Sequence, residues 1–225
     1  MFFDKPAKFM TLSAYTSIAT TIDSHTRYIP LNECHQHTTS LTQNTYYPSF
    51  IPRRWDPTDF IYTDGSKVDS TTILGAGIAY PATNSTVSIL VHAKPERNTI
   101  NRAELAAIAQ VLIDNASVQI IRILTDSAFC IYVIRNFITS PSSYEGYLHE
   151  DLLHLIADML LHRESQQYYT HIGKVKSHTG IQYNEIADQT ANNVATGETE
   201  NPDIEFTQAD PITTGLRTWL LHDDP

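Results

Sequence analysis

The sequence has few cysteines, no long apolar run and no recognisable leader. Its two cysteines, Cys34 and Cys130, give no disulfide framework, which favours a reducing, intracellular compartment. No run of about 18 apolar residues occurs, so we expect no membrane-spanning helix. The first residues lack a basic segment followed by an apolar one, so we expect no secretory signal. The sequence therefore predicts an intracellular protein of the cytoplasm or nucleus that is not secreted and not bound to membranes.

Basic charge is also scarce. The net charge is −10, and the acidic excess is concentrated in residues 59–195, at −5, and 196–225, at −6. Such a balance argues against tight, independent binding of nucleic acid but does not exclude it. If four of the central acids hold two divalent cations, the central segment rises to about −1. We therefore expect modest nucleic-acid affinity for the isolated chain.

Composition and hydrophobic periodicity divide the chain into three parts. Residues 1–57 show little periodicity and end in a proline-punctuated run, which predicts a poorly ordered lead-in or the tail of an upstream domain. Residues 58–195 have the patterns of a folded domain, and 196–225 form an acidic tail or linker. The segment Cys34–His37 has the residue types of metal ligands, but it lacks the second pair that a zinc site needs.

The central part alternates between strand-like and helix-like patterns. Strands are predicted at 59–63, 74–80, 86–92, 119–125 and 168–175, and helices at 101–115, 127–137, 147–163 and 182–194. Three antiparallel strands come first, and the later strands alternate with helices. This order predicts an α/β fold with a mixed five-stranded sheet flanked by helices.

Four acids stand at positions where this fold would bring side chains together. Asp64 closes the first predicted strand and Asp126 ends the fourth, while Glu104 and Asp188 lie on helices. Functional groups gather at the carboxyl ends of parallel-type strands and at adjoining helix starts. Clustered carboxylates repel one another unless cations neutralise them. Oxygen ligands suit Mg2+ or Mn2+, and two such ions can cleave a phosphodiester.

A histidine completes this candidate site. His178 precedes the last predicted helix in a loop that contains Gly180. A mobile histidine beside two metal ions can move a proton to the leaving 3′-oxygen or assist product release.

Each motif taken alone has a simpler structural explanation. Asp64-Gly65-Ser66 is typical of a turn, and Asp126-Ser127 of a helix N-cap. Glu104 complements a helix dipole, and Asp188 decorates a solvated helix face. The order and spacing of the motifs together carry the functional interpretation.

Residues 59 to about 195 resemble a type 1 ribonuclease H domain. The resemblance is carried by Y62-T-D-G-S66, G75-A-G77, N98-T-I-N-R-A-E-L105, L124-T-D-S127 and K176-S-H-T-G-I-Q-Y-N-E-I-A-D188. It implies an endonuclease that hydrolyses the RNA strand of RNA–DNA hybrids with two Mg2+ ions, or Mn2+.

The resemblance also assigns roles to residues. It implies that the metal ligands are Asp64, Glu104, Asp126 and Asp188, with His178 assisting turnover. It implies contacts with the substrate from Gly65, Ser66, Asn101, Ser127, Asn184 and Glu185. Contact with the 2′-hydroxyl by Asn101 would explain selection of the RNA strand.

The sequence departs from the family pattern at positions that contact the substrate in other members. Ala128 stands where many members have a polar residue, and Y168-Y-T-H-I-G173 replaces a tryptophan-rich strand. The basic protrusion of some cellular members is replaced by the acidic run F137–D151. These features make the domain most similar to those joined to reverse transcriptases of non-LTR-type retroelements, so a reverse transcriptase module is an expected partner.

Two other functions compete with the hybrid nuclease. A DDE-type transposase or integrase shares the sheet and the metal chemistry, but its three acids run in the order D, D, E, whereas this chain has D, E, D, D. A degenerate retroelement remnant would bind nucleic acid or a partner without cleavage. All four acids and His178 are present, and this favours an enzyme.

Overall fold

The structure, a computed structural model, describes residues 26–29 as backbone, together with 56–69 and 72–207. The strands of this part are β1 Thr26–Ile29, β2 Ile61–Lys67, β3 Leu74–Tyr80, β4 Ser85–Val91, β5 Ile120–Thr125, β6 Tyr169–Lys174 and β7 Ile204–Phe206. The α-helices are α1 Ile100–Asp114, α2 Ala128–Thr139, α3 Glu150–Ser165 and α4 Gln182–Thr196. Every predicted strand and helix of the central part is present, with ends that differ by a few residues.

The strands form one mixed sheet in the order β1-β6-β5-β2-β3-β4-β7. β2, β3 and β4 pair antiparallel, whereas β2 pairs parallel with β5, and β5 with β6. The predicted α/β architecture, with antiparallel strands followed by parallel ones, is therefore confirmed. β2 lies at the centre, where the antiparallel and parallel halves of the sheet meet.

Two short strands extend this sheet beyond the five that were predicted. β1 pairs parallel with β6, and β7 pairs parallel with β4, where His92 N donates to Phe206 O at 2.9 Å. β1 comes from the expected lead-in and β7 from the expected acidic tail. The rest of both segments, including Cys34–His37, lies outside the described residues, and the predicted domain limits stay a prediction.

The helices cover both faces of the sheet. Alternate residues of β3, β5 and β6, such as Ala76, Ile123 and Ile172, join the larger apolar core with α1, α2 and α3. The opposite face, with Tyr62 and Leu124, packs on Ala187 of α4. Because successive strand residues point to opposite faces, each strand serves both layers. Among the described helices, none is long and apolar enough to cross a membrane.

Glycines in β3 let α4 approach the sheet closely. A Cβ on Gly75 would lie 2.0 Å from Ala191 O, and one on Gly77 would lie 2.2 Å from Ala187 O. Both distances are far below van der Waals contact, so the helix backbone rests directly on the strand backbone. This contact fixes the height of α4, and hence of Asp188, above the sheet.

A buried ion pair joins α1 to α3 on the other face. Arg102, which is fully buried, donates from Nη1 and Nη2 to the two carboxylate oxygens of Asp151 at 3.1 and 2.7 Å. Arg97 Nη1 lies 3.2 Å from the same carboxylate. Bidentate guanidinium–carboxylate pairs are strong and directional. The pair therefore fixes the first turn of α1, two residues before Glu104.

Candidate active site

Asp64 lies inside β2 and not at its end. The prediction that it closes the strand is wrong, because β2 continues to Lys67. β5 stops earlier: Thr63 pairs with Thr125, the last residue of β5. Asp64 is therefore the first residue of β2 beyond the end of its parallel neighbour. The premature end of β5 leaves room beside β2 for a cluster of side chains.

Glu104 reaches Asp64 by passing over a glycine. A Cβ on Gly65 would lie 2.9 Å from Glu104 Cγ and 2.5 Å from Glu104 N. The main-chain N–H of Gly65 also donates to Asp64 Oδ1 at 2.7 Å. Gly65, expected to contact substrate, is buried beneath Glu104, so its visible role is to admit the helix and orient the Asp64 carboxylate.

Asp126 joins these two acids from the end of β5. Asp64, Glu104 and Asp126 can each offer a carboxylate oxygen such that all three oxygens lie within 4.8 Å of one another. Asp64 and Glu104 are each only 5% exposed, and Asp126 is half-buried. Three acids at such distances with little solvent are unfavourable unless protons or cations neutralise them.

The crowding and burial of the three acids raise their pKa values. Burial, and next the charge of Asp126, raise the pKa of Asp64 to about 8. Burial also holds the pKa of Glu104 well above its usual range, with Asp64 as the next cause. The pKa of Asp126 is raised by burial too, although the nearby charge of Lys174 opposes that rise. The cluster therefore attracts positive charge.

Asp126 is not the N-cap of the helix that follows it. The cap of α2 is Ser127, whose Oγ accepts from Cys130 N at 3.3 Å. Ser127 N donates in turn to Thr125 Oγ1 at 3.0 Å. The simpler explanation of Asp126 is thus removed, and its carboxylate is left for the acid cluster. Ser127, expected to touch substrate, has a clear structural role.

Asp188 lies at the edge of the cluster, on α4. It does not share the 4.8 Å grouping of the other three acids. Its charge nevertheless raises the pKa of both Asp64 and Asp126. Its side chain is 41% exposed, and its Oδ2 lies 4.0 Å from His178 Nδ1. The structure therefore brings the predicted fourth acid beside the other three and within reach of the predicted histidine.

His178 stands on an exposed loop in a left-handed backbone conformation, with φ of 51° and a side chain that is 80% exposed. The same loop is fastened to α4, because Gly180 N donates to Glu185 Oε1 at 2.9 Å. Glu185, expected to contact substrate, therefore holds the loop that carries His178.

The remaining expected substrate contacts are spread around the cluster. Asn184 is buried, and its side chain lies close enough to Asp126 to lower the pKa of that carboxyl. Ser66 Oγ donates to Asn192 Oδ1 at 3.4 Å, on the α4 side of β2. Asn101 is half-buried in the first turn of α1. Their predicted roles toward substrate stay predictions.

Two residues beside the acids were missed by the sequence analysis. Thr125 Oγ1 donates to Glu104 Oε2 at 3.4 Å and so orients that carboxylate. Lys174 ends β6 and is the register partner of Thr125. Their positions follow from strand pairing, so only a correct alignment of β5 with β6 could have revealed them.

The donor set suits a hard divalent cation. Carboxylate oxygens are the ligands that Mg2+ and Mn2+ prefer, and a thiolate set that would favour zinc is absent from this cluster. The pKa values of Asp64, Glu104 and Asp126 are raised because burial and mutual repulsion outweigh the nearby positive charge of Lys174. These three residues therefore fit a divalent metal ion, with Asp188 available beside them.

The crowded acids predict that the metal-free protein loses stability with rising pH. Asp64, with a pKa near 8, keeps its proton when folded and loses it when unfolded, so the folded state is favoured at lower pH. His149 acts oppositely, because burial lowers its pKa to about 4, but only below about pH 6.5, where the unfolded state is protonated. Between about pH 6.5 and 8 we expect a loss of about 2 kcal/mol. Urea unfolding with a chelator measures it.

Added Mg2+ should reduce that loss, and Asp64→Asn should remove most of it. A metal-free protein whose stability rises across the same window would contradict the buried, mutually repelling carboxylates.

A seven-stranded mixed sheet with buried acids beside its central strand defines an α/β domain of the ribonuclease H-like type. The RNase H family model matches residues 57–196, more than half of the chain. The chain therefore belongs to the RNase H family. No curated protein sequence matches it. Family membership supports nuclease activity toward RNA–DNA hybrids.

Proposed function

We propose that this chain is an endoribonuclease that hydrolyses the RNA strand of RNA–DNA hybrids with two bound Mg2+ ions. The observation that carries the proposal is the grouping of Asp64, Glu104 and Asp126 at the end of β5 in a domain of the RNase H family. Their high pKa values mark a site that is incomplete without cations. Mn2+ would fit the same oxygen donors.

Bound metal ions would supply a nucleophilic water at neutral pH and neutralise charge on the phosphodiester. The chain's own residues supply the arrangement. Asp64 is oriented by the Gly65 N–H and Glu104 by Thr125, and the buried Asn184 lies beside Asp126. Such preorganised groups need no rearrangement during the reaction. We propose that His178, which lies beside Asp188 and is open to solvent, carries a proton to the leaving 3′-oxygen.

The acidic surface supports the proposal that a second module supplies most of the contacts with the substrate. No lysine or arginine occurs between Arg135 and Arg163, a stretch that includes the end of α2, the 3-10 helix Pro141–Tyr144 and most of α3. Phosphate contacts by basic residues dominate nucleic-acid affinity. A joined reverse transcriptase of a retroelement would supply such contacts. We propose a retroelement origin for this reason and because the motif sequences resemble those of retroelement domains.

The test is cleavage of a hybrid labelled on each strand in turn. We expect fragments of the RNA strand only, and only with Mg2+ or Mn2+, because the acids alone cannot activate water. Duplex DNA, duplex RNA and single-stranded RNA are the controls. Cleavage of duplex DNA would favour the transposase alternative, and hybrid binding without any cleavage would favour the degenerate module.

A further inference from the structure

Lys174 is a cation beside the acid cluster, and the proposed function gives it no role. It is the last residue of β6, and its Cα pairs with that of Thr125. Register partners in neighbouring parallel strands point to the same face of the sheet. Thr125 points toward Glu104, to which it donates a hydrogen bond, so Lys174 extends from the sheet on the same side.

The Lys174 ammonium group is held near the acids. Its Nζ donates to the main-chain oxygen of Val175 at 2.7 Å, which keeps the side chain at the strand end. Val175 N donates to Thr125 O at 2.9 Å, so this end of β6 is fixed against the end of β5. The Lys174 charge lowers the pKa of both Asp64 and Asp126. One ammonium therefore acts on two of the three clustered carboxylates.

A charge count shows what such a cation could neutralise. Four carboxylates and two divalent cations cancel, so the metal-loaded site alone attracts no further charge. A phosphodiester brings one negative charge, and attack by hydroxide brings a second. A lysine ammonium is a compact charge with three donors, of which Val175 O takes one. The remaining donors suit phosphate oxygens.

We propose that Lys174 is a substrate-binding residue that contacts a phosphate of the cleaved strand next to the acid cluster. This inference rests on the proposed function. It assigns part of the phosphate contact to the end of β6, in a domain that is poor in basic residues. A lysine there strengthens substrate binding without adding a metal ligand.

The test compares Lys174→Met with Lys174→Arg, and with Lys94→Met as a control of equal charge loss on an exposed loop. For Lys174→Met we expect kcat/KM for the hybrid to fall about tenfold. The slope of log affinity against log salt should become shallower by about 0.7–1, as for one lost phosphate contact. Lys174→Arg should restore most of the affinity, and Lys94→Met should keep the wild-type slope.

Binding is also measured without catalysis, by fluorescence anisotropy of a labelled hybrid with Asp64→Asn and with Asp64→Asn/Lys174→Met. A weaker, less salt-dependent complex for the double variant supports the proposal even if the wild-type protein fails to cleave, which would overturn only the proposed function. Equal affinities and slopes overturn the phosphate contact. Lower thermal stability or a changed Mg2+ requirement at unchanged affinity also overturns it, because Lys174 would then serve the strand end or the acids.

Discussion

Asp64→Asn is expected to abolish cleavage of the RNA strand while making the metal-free protein more stable. Asparagine keeps the shape of the side chain and the oxygen that accepts from Gly65 N, but it removes one negative charge from the cluster. Loss of a metal ligand removes several kcal/mol of transition-state stabilisation, so the rate should fall on the order of 10³-fold or more. Initial rates on a labelled hybrid measure this loss.

The gain in stability separates loss of chemistry from loss of fold. At pH 8 and without metal, Asn removes the repulsion that Asp64 shares with Asp126. We expect the melting temperature of the metal-free variant to rise by a few degrees, since about 1 kcal/mol corresponds to about 2–4 °C at this size. Added Mg2+ should raise the melting temperature of the wild-type protein but should change that of the variant little.

Asp69→Asn is the matched control, because Asp69 is exposed on the loop after β2. It should leave both rate and stability unchanged. Wild-type activity of Asp64→Asn would show that the acid cluster is not the active site. Lower stability of the metal-free variant would show that the acids do not repel one another as their burial implies.

The central elements of the fold could be predicted from the sequence because their patterns are local. The β3 and β4 runs and the helical spacing in α1 and α4 depend on neighbouring residues, and the structure places these elements within a few residues of expectation. β7 could not be found in this way. It has three residues and is held by pairing with β4 and by Ser88 N, which donates to Asp203 Oδ2 at 2.7 Å.

The position of Asp64 shows why the motifs indicated which acids come together but not the geometry of their cluster. Asp64-Gly65-Ser66 has turn-forming composition, which suggested that the strand ends there. In the sheet, β3 pairs with β2 as far as Lys67, so long-range hydrogen bonds override the local preference. What ends at this level is β5, and that fact depends on the register between two distant strands.

The roles of residues next to the acids depend on the same three-dimensional facts. Gly65 was expected to contact substrate, yet its lack of a Cβ is what lets Glu104 approach. Ser127 caps α2, and this capping releases Asp126 for the cluster. Lys174 lies outside all the motifs that carry the family resemblance. Sequence therefore identified the acids, whereas their supporting residues required the structure.

Gly77→Ala is expected to be among the most destabilising single substitutions in the domain. Its Cβ would lie 2.2 Å from Ala187 O and 2.7 Å from Ala191 N, so the backbone of α4 must move away from β3. Backbone shifts forced by overpacking typically cost about 1–3 kcal/mol, and an overlap with main-chain atoms on both contacts belongs at the upper end of that range. Asp188 follows Ala187 directly, so the displaced helix should also carry this acid away from the cluster and lower the hybrid cleavage rate. Urea unfolding and initial rates measure the two effects.

Gly146→Ala separates steric overlap from the loss of glycine itself. Gly146 has φ of 73°, and no atom of the described residues lies within 4 Å of its added Cβ, so this variant bears only a backbone cost of about 1 kcal/mol. Gly77 lies within β3, and its cost is the contact with α4. We therefore expect Gly77→Ala to lose about 2 kcal/mol more than Gly146→Ala, with the larger loss of cleavage. Equal stability of the two variants would mean that α4 does not rest directly on β3, and the placement of Asp188 beside the other acids would lose its structural basis.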